Sequence, residues 1–154
     1  MNNTTIISSP LGNIQLLADE NGVYQIEFTK KHFKASKTTN THLMKAAKEL
    51  KEYFDGHRKN FTFTKHALSG TSFQKKVWNA LEKIPYGTTC AYSDIAKKIG
   101  RPLAARAIGS ACNKNPIGIV VPCHRVVGKS GKLTGYAGGL HFKEWLLNHE
   151  NAKL

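Results

Sequence analysis

Residues 119–127 read Ile119-Val120-Val121-Pro122-Cys123-His124-Arg125-Val126-Val127, and this stretch decides how the rest of the chain is interpreted. A cysteine beside a histidine interrupts two runs of β-branched residues, directly after a proline. Burying the side chains of His124 and Arg125 in a core strand would cost free energy. Adjacent side chains on an extended chain point to opposite sides. Cys123 and His124 can therefore meet only if the backbone turns here, and Pro122 favours such a turn.

The thiol of Cys123 is a candidate nucleophile. A free cysteine with a pKa near 8.5 is only about 3% thiolate at pH 7. Lowering its pKa to about 6.5 would make most of it thiolate, and a positioned base with fixed backbone donors can supply that shift. The alternative is an inert core thiol, which is the common state of buried cysteine.

The composition predicts a globular, soluble protein of one domain or two small ones, with 154 residues of which 40% are hydrophobic. No apolar run approaches the roughly 18 residues of a membrane span. The first residues lack the basic and apolar regions of a signal peptide. The three cysteines have no CxxC spacing, which argues against a disulfide framework and a cysteine-rich zinc site. We therefore expect a cytoplasmic protein.

The formal charge is +13, and most of it lies in the half that contains Cys123. Before residue 70 the chain has 10 basic and 6 acidic residues, giving +4. From residue 70 onward 13 basic and 4 acidic residues give +9. A polyanion is the natural partner, and nucleic acid fits better than a membrane surface because no basic amphipathic helix is present. General solubility of a basic protein is the alternative explanation.

The first 64 residues are predicted to form a small α/β domain. Residues 4–28 alternate in polarity as antiparallel strands do, with turn residues at 9–12 and 19–22. Thr41 is predicted to cap a helix that ends at Gly56.

Phe61–Thr64 is predicted to add one strand, and residues 65–70 to form a linker. No residue of this half has a catalytic pattern. Its histidines have no ligand-like spacing and are interpreted as surface residues, namely His32, His42, His57 and His66.

Residues 71–154 are predicted to form a mostly helical domain with a winged helix-turn-helix. Thr71 and Gln74 match a capping box at the start of its first helix. Two short helices follow, at about 93–99 and 103–114, with Pro102 at the start of the second. The wing is the basic turn Gly128-Lys129-Ser130-Gly131-Lys132, and a closing helix is predicted at about 142–149.

The PCHRV stretch at 122–126 resembles the active-site motif of the O6-alkylguanine-DNA alkyltransferases. Thr71–Leu81 resembles the opening helix of that family, Asn115–Val127 its active-site segment, and Tyr136–Glu150 its closing segment. The N-terminal domain resembles the family only in its size and its strand-helix layout. The implied fold is α+β, with the catalytic and DNA-binding functions in the second domain.

The resemblance implies a role for each residue that matches the motifs. Cys123 corresponds to the alkyl-accepting thiol, His124 to the base that withdraws its proton through a water, and Glu150 to the carboxylate that orients the histidine. Asn115 corresponds to the residue that ties the helix-turn-helix to the active-site segment. Tyr92 corresponds to the tyrosine that assists base rotation and protonates the leaving guanine.

The implied partner is double-stranded DNA containing alkylated guanine, bound largely without regard to sequence by a monomer, with no membrane contact. Arg106 corresponds to the arginine that fills the gap left by the rotated base. The other expected DNA contacts are Arg101, Ala105, Ser110, Lys114 and Lys129. The substrate pocket is expected to be lined by Val126, Tyr136, Ala137 and Gly138.

The implied activity is a single, irreversible transfer of an alkyl group to Cys123, since no residue or cofactor here could cleave a thioether. O4-alkylthymine is a further substrate of interest that the sequence leaves open. We expect no cofactor and no metal, because the zinc site of some family members needs cysteines that are absent before Cys90. Cys90 and Cys112 are interpreted as structural. The alternatives are a Cys-His-Glu hydrolase, a lesion-binding module without chemistry, and a transcription regulator on the same scaffold.

Overall fold

The computed structural model describes residues 3–31, 38–136 and 139–151. The chain divides into two compact units, Met1–Leu68 and Ser69–Leu154. The predicted α+β class is confirmed. None of the helices among the described residues is long and apolar enough to cross a membrane.

The first unit contains the predicted antiparallel strands, in the order β1 (Asn3–Ser9), β2 (Gly12–Asp19) and β3 (Gly22–Thr29). Both connecting turns are closed by polar side chains, since the amide of Leu11 donates to Ser9 Oγ and that of Asn21 to Asp19 Oδ1. Each turn ends in a glycine with positive φ, which a residue with a side chain adopts only at a cost. The middle strand buries Ile14, Leu16 and Ala18 completely.

Helix α1 (Thr41–Phe54) packs its apolar face on this sheet and buries Leu43, Ala46, Leu50 and Tyr53. Its N-cap is Asn40, so the prediction that Thr41 caps the helix is wrong by one residue. The Asn40 side chain accepts a hydrogen bond from the amide of Leu43 at 3.1 Å, which leaves Thr41 as the first helical residue. An asparagine at this position satisfies the same free helix amides as threonine would.

The predicted strand at Phe61–Thr64 does not form, because a buried carboxylate takes its amides. Glu49 Oε1 accepts hydrogen bonds from the amides of Thr62 at 2.7 Å and Phe63 at 3.3 Å. Glu49 Oε2 accepts a further bond from the Thr62 hydroxyl at 2.6 Å. Only Lys65 then makes an isolated bridge, to Val23.

The residues expected to begin the linker are held by the first unit. The amide of His66 donates to the carbonyl of Val23 at 2.9 Å, and its ring nitrogen Nε2 lies 2.8 Å from Asp19 Oδ1. His66 is therefore a partly buried structural residue rather than a surface histidine. His57 is exposed and His42 is half-buried, whereas His32 lies outside the described residues.

The second unit begins with α2 (Ser72–Glu82), whose predicted capping box is confirmed. The Thr71 hydroxyl accepts from the amide of Gln74 at 3.0 Å, and Gln74 Oε1 accepts from the amide of Thr71 at 2.9 Å. The helix buries Val77, Trp78 and Leu81. The indole of Trp78 donates to the carbonyl of Ala111 at 2.9 Å, and this bond attaches α2 to the helix that carries Ala111.

The helix-turn-helix consists of α3 (Tyr92–Lys98) and α4 (Ala105–Asn113), which pack against each other. Helix α4 begins two residues later than predicted, and Pro102 lies in the preceding turn rather than in its first turn. The amide of Ala104 donates to the carbonyl of Arg101 at 3.0 Å and closes this turn. Helical bonding starts only with the bond from Ile108 to the carbonyl of Ala104. The helix buries Ile108, Ala111 and Cys112.

The remaining elements surround the active-site segment. Strand β4 (Cys90–Ala91) pairs in parallel with β5 (Val126–Val127), and a 3-10 turn at Cys123–Arg125 precedes β5. The basic turn is closed by a 2.7 Å bond from the amide of Gly128 to the carbonyl of Lys132. The sequence predicts the wing as a basic turn between extended segments; β5 precedes it, and no strand follows it among the described residues. Helix α5 (Leu140–His149) begins two residues earlier than predicted.

The buried carboxylate of Glu49 generates a test of the first unit. Glu49→Gln should lower the free energy of unfolding by about 1–3 kcal/mol, because an amide replaces a charged acceptor of three hydrogen bonds. Glu52→Gln, on the same helix and only partly buried, is the matched control and should change it by less than about 0.5 kcal/mol. Denaturant titration of both variants measures the difference, and equal stabilities would contradict the anchoring role of Glu49.

Candidate active site

The segment before Cys123 is tightly wound rather than extended. The amide of Val121 donates to the carbonyl of Ile117 at 3.0 Å, and the amide of Cys123 donates to that of Val121 at 2.8 Å. Between them Ile119 has a φ of 70°, a left-handed conformation that is strained for a β-branched residue. The turn that the sequence required at Pro122–Cys123 is thus present, and it continues as the 3-10 turn.

Asn115 fixes this segment through both ends of its amide. Its Oδ1 accepts from the amide of Ile117 at 3.0 Å, and its Nδ2 donates to the carbonyl of Val121 at 2.8 Å. Nδ2 also lies 3.5 Å from the sulfur of Cys123, in hydrogen-bonding geometry. Since Asn115 follows the C-terminus of α4, it links the helix-turn-helix directly to the thiol.

His124 and Glu150 form a buried pair, as the sequence predicted for these two positions. Nε2 of His124 lies 2.8 Å from Oε2 of Glu150, and both side chains are fully buried. A carboxylate only accepts, so Nε2 carries a proton and Nδ1 holds the lone pair of the neutral ring. Nδ1 is buried and makes no hydrogen bond to any group in the part of the chain that the structure describes. The ring therefore presents one free basic nitrogen.

Arg125 completes this cluster. Its Nε donates to Glu150 Oε1 at 2.8 Å and its Nη2 donates to Oε2 at 3.1 Å. Its Nη1 donates to the carbonyl of Ile84 at 2.7 Å, and its guanidinium lies 5.7 Å from the ring centroid of Tyr86. The sequence indicated that burying Arg125 would be costly but not which acid binds it. The partner is 25 residues away, so no local pattern contains it.

The pKa values of the pair follow from these contacts. Burial alone would raise the pKa of Glu150, but the hydrogen bonds from His124 and Arg125 and the positive charge of Arg125 hold it well below its usual 4.5. Burial lowers the pKa of His124 from its usual 6.5, and Glu150 only partly opposes this. Both groups favour a state in which the carboxylate is charged and the imidazole is neutral.

The surroundings of Cys123 do not lower the pKa of its thiol. Burial raises the pKa of the Cys123 thiol, and the hydrogen bond from Asn115 and the charge of Lys143 oppose this only in part. Cys123 is buried, with 8% of its surface exposed. Desolvation penalises the thiolate more than the surrounding donors stabilise it. The thiol of Cys123 therefore favours its neutral form, and it would act as a nucleophile only if a base withdrew its proton.

Lys143 is a second buried cation that the sequence did not single out. Its Nζ donates to the carbonyl of Thr134 at 2.7 Å and lies 5.7 Å from the ring centroid of Tyr92. The Tyr92 hydroxyl accepts from Thr134 Oγ1 at 3.2 Å and lies 3.5 Å from the carbonyl of Thr134. Burial lowers the pKa of Lys143, and the nearby thiols Cys123 and Cys112 oppose this.

A cavity of about 230 Å³ opens beside this network and is lined by Tyr92, Ala105, Gly109, Asn113, Thr134 and Gly135. Of the predicted pocket residues, Tyr136 lies close enough to Cys123 and Glu150 for their charges to raise its pKa further, burial being the main cause. Val126 is fully buried, pairs with Cys90 and does not line the cavity. Ala137 and Gly138 lie outside the described residues.

The predicted DNA contacts lie at the surface of the second unit. Ala105, Arg106 and Ser110 are exposed on α4, and Lys114 is exposed at its C-cap. The guanidinium of Arg101 lies 5.6 Å from the ring centroid of Phe73, at the turn between α3 and α4. Lys129 is exposed in the basic turn.

The other two cysteines differ from Cys123 in their surroundings. Burial raises the pKa of Cys112 to about 12 and also raises that of the half-buried Cys90. Neither is adjacent in the sequence to a histidine, as Cys123 is to His124. Within residues 3–31, 38–136 and 139–151, no three His, Cys, Asp or Glu side chains cluster as metal ligands would.

Comparison with known proteins identifies the family. Residues 72–152 match the DNA binding domain of 6-O-methylguanine DNA methyltransferase, and residues 3–66 match its ribonuclease-like domain. The chain belongs to the 6-O-methylguanine DNA methyltransferase family. The resemblance predicted from the PCHRV motif is therefore confirmed, and it extends over the N-terminal unit, which the sequence motifs alone did not reach.

Members of the methyltransferase family match nearly the whole chain. The methylated-DNA–protein-cysteine methyltransferase of Methanosarcina acetivorans is 50% identical over 152 residues, which cover 96% of this chain and 97% of that protein. The constitutive enzyme of Bacillus subtilis is 42% identical, over 97% and 96% of the two chains. Mycobacterium tuberculosis O6-methylguanine methyltransferase superposes with a TM-score of 0.87 at 39% identity, covering 98% and 93%. The structure of Mycobacterium tuberculosis OGT in complex with DNA superposes with a TM-score of 0.85 at 41% identity, covering 96% and 92%.

The buried pair makes stability depend on pH with a definite sign. The pKa of His124 is lowered on folding, so below about pH 6.5 the unfolded chain takes up a proton that the folded chain refuses. Glu150 acts in the same direction at lower pH, because its pKa is also lowered from 4.5. Between pH 6.5 and 5 the free energy of unfolding should fall by up to about 1.4 kcal/mol per pH unit. Denaturant titrations of His124→Gln should have a shallower pH slope, and an equal slope would contradict this origin.

Proposed function

We propose that this protein repairs DNA by transferring the alkyl group of O6-alkylguanine to its own Cys123. The observation that carries the proposal is the cluster around Cys123. Asn115 lies within hydrogen-bonding distance of the thiol, and the next residue in the chain, His124, is a buried imidazole held by Glu150. The residues in this mechanism belong to the unit Ser69–Leu154, so we propose that this unit is the catalytic and DNA-binding domain. We further propose that the protein acts as a monomer.

Transfer begins when Nδ1 of His124 withdraws the proton of Cys123 through a bridging water. The carboxylate of Glu150 holds Nε2, which keeps the lone pair of Nδ1 available and stabilises the imidazolium that forms. The Nδ2 amide of Asn115 stabilises the developing thiolate at 3.5 Å. Because the resting thiol is neutral, the base withdraws its proton while the substrate is bound.

The thiolate then attacks the alkyl carbon. A carbon–sulfur bond forms, the carbon–oxygen bond to guanine breaks, and its electron pair leaves with the guanine. Tyr92 supplies a proton to the departing base, and its hydroxyl is already oriented by Thr134. The product is a thioether on Cys123, which no group in the site can cleave. Each molecule therefore acts once.

DNA is the partner, because the alkylated oxygen lies inside the base stack and the nucleotide has to be rotated out of it. Exposed small residues on α4 let the backbone approach the duplex, and Arg106 enters the gap that the nucleotide leaves. The +9 charge of this half attracts phosphates without reading sequence. The OGT of Mycobacterium tuberculosis, with the same fold, has been solved in complex with DNA.

The compartment follows from the thiols. All three cysteines are free, and a single-use nucleophile is preserved where thiols stay reduced. We place the protein in the cytoplasm on this ground.

Stoichiometric transfer is directly measurable. Incubation with DNA containing O6-methylguanine should raise the intact mass by one methyl group, located on Cys123, with no second turnover. Cys123→Ala should abolish transfer and leave DNA binding nearly unchanged. Cys112→Ala is the matched control and should transfer normally, since the buried Cys112 has no adjacent histidine to withdraw its proton. A methyl group on Cys112 or Cys90, or repeated turnover, would contradict the proposal.

Rotation of the damaged base gives a second test. Arg106→Ala should slow transfer from duplex DNA at least about tenfold while leaving reaction with free O6-benzylguanine nearly unchanged, because the free base needs no rotation. Lys129→Ala should instead weaken binding to all sequences alike and reduce the salt slope by about one. Equal slowing of both substrates by Arg106→Ala would show that this arginine supports the fold instead.

A further inference from the structure

Arg125 occupies an unusual place in the cluster, because it competes with the base for the same carboxylate. Glu150 Oε2 receives His124 Nε2 at 2.8 Å and Arg125 Nη2 at 3.1 Å, while Oε1 receives Arg125 Nε at 2.8 Å. A carboxylate that faces only a histidine stabilises the imidazolium strongly. Here a permanent cation neutralises that carboxylate at both oxygens.

The position of Arg125 is fixed from three sides. Its Nη1 donates to the carbonyl of Ile84, just beyond α2, at 2.7 Å, and the ring of Tyr86 lies against its guanidinium at 5.7 Å. Its backbone belongs to the 3-10 turn that carries Cys123 and His124. The guanidinium therefore cannot move away from Glu150 without breaking the contacts between this turn, α5 and the end of α2.

We propose that Arg125 is a positioning residue for the transfer reaction, which by binding both oxygens of Glu150 keeps His124 a neutral base under mildly acidic as well as neutral conditions. This proposal rests on the proposed function, in which His124 withdraws the proton of Cys123. Glu150 thereby orients the imidazole without favouring its protonated form. The positive charge of Arg125, which neutralises Glu150, sets how basic the imidazole is.

The other groups around His124 do not replace this effect. Among the residues that the structure describes, Lys143 of α5 is the remaining charged side chain whose field reaches it, and its charge acts in the same direction as that of Arg125. Tyr86 faces Glu150 and Arg125, and Tyr136 faces Glu150 and Cys123. The titratable residues of α2, which packs on the 3-10 turn, are exposed, namely Lys75, Lys76 and Glu82. Arg125 is the cation that shares a hydrogen-bond acceptor with the base.

The experiment titrates the imidazole of His124 in the full chain by NMR of labelled histidine, with His124→Gln to assign the signal. Arg125→Met removes the charge and should raise the titration midpoint of His124 by about one pH unit or more. Arg125→Lys keeps a charge but offers no bidentate fork and should raise it by less. Lys83→Met removes an exposed charge next to Ile84 and is the control that should leave the midpoint unchanged.

The pH dependence of methyl transfer in single-turnover reactions is the second readout. Arg125→Met should lose activity at a higher pH than the wild type as the solution is acidified, and Arg125→Lys should lie between them. A slower reaction with an unshifted imidazole midpoint would overturn the proposal and make Arg125 purely structural. If Arg125→Met does not fold, Arg125→Lys decides, since an unchanged midpoint there contradicts the proposal. Failure of the wild type to transfer at any pH would instead contradict the proposed function, while the imidazole titration would still test Arg125.

Discussion

The carboxylate of Glu150 is the point on which the second unit depends. It is fully buried and charged, and its burial is tolerated because His124 and Arg125 together donate three hydrogen bonds to it. Removing one partner of a buried ion pair typically costs about 3–5 kcal/mol, because the remaining charge cannot reach water. The same contacts join three elements, since Glu150 caps α5, His124 and Arg125 form the 3-10 turn, and Arg125 reaches Ile84. The contacts that join these elements of the domain are therefore also the contacts that orient the base His124.

The strained backbone before Cys123 is held in place by these contacts of Glu150 with His124 and Arg125. Ile119 is held with positive φ, and the segment from Ile117 to Cys123 makes tight turns rather than ladder bonds. Asn115 supplies the missing hydrogen bonds from one side, and the Glu150 cluster fixes the segment just after it. Gly87 permits the close approach on the far side, since a Cβ there would lie 3.0 Å from the carbonyl oxygen of Glu150. Conformational strain at a nucleophile persists only when its surroundings over-determine it, and here they do.

The sequence predicted what depends on neighbouring residues and missed what depends on distant ones. The strand alternation, the turn residues and the Thr71–Gln74 capping box are local patterns, and the structure contains all three. Phe61–Thr64 alternates like a strand, but Glu49 from a different element takes its amides. Likewise the apolar flanks of Arg125 made it conspicuous in the sequence but did not indicate its acceptor, and no local pattern marked Lys143; only the tertiary structure buries each beside an acceptor. The family motif did identify Cys123, His124, Glu150 and Asn115 as neighbours, because it records the result of that folding.

The raised pKa of Cys123 is consistent with the proposed single alkyl transfer. A permanently ionised thiolate would react with any alkylating or oxidising agent that reached it, and each such event would consume the molecule. In the proposed mechanism a buried neutral thiol reacts only when His124 withdraws its proton, with Glu150 and Arg125 keeping the imidazole oriented and neutral. In this mechanism the thiolate forms only when an alkyl carbon is in place for it to attack. If each molecule acts once, as proposed, the burial that makes the thiol a poor acid would also limit unproductive reactions that consume it.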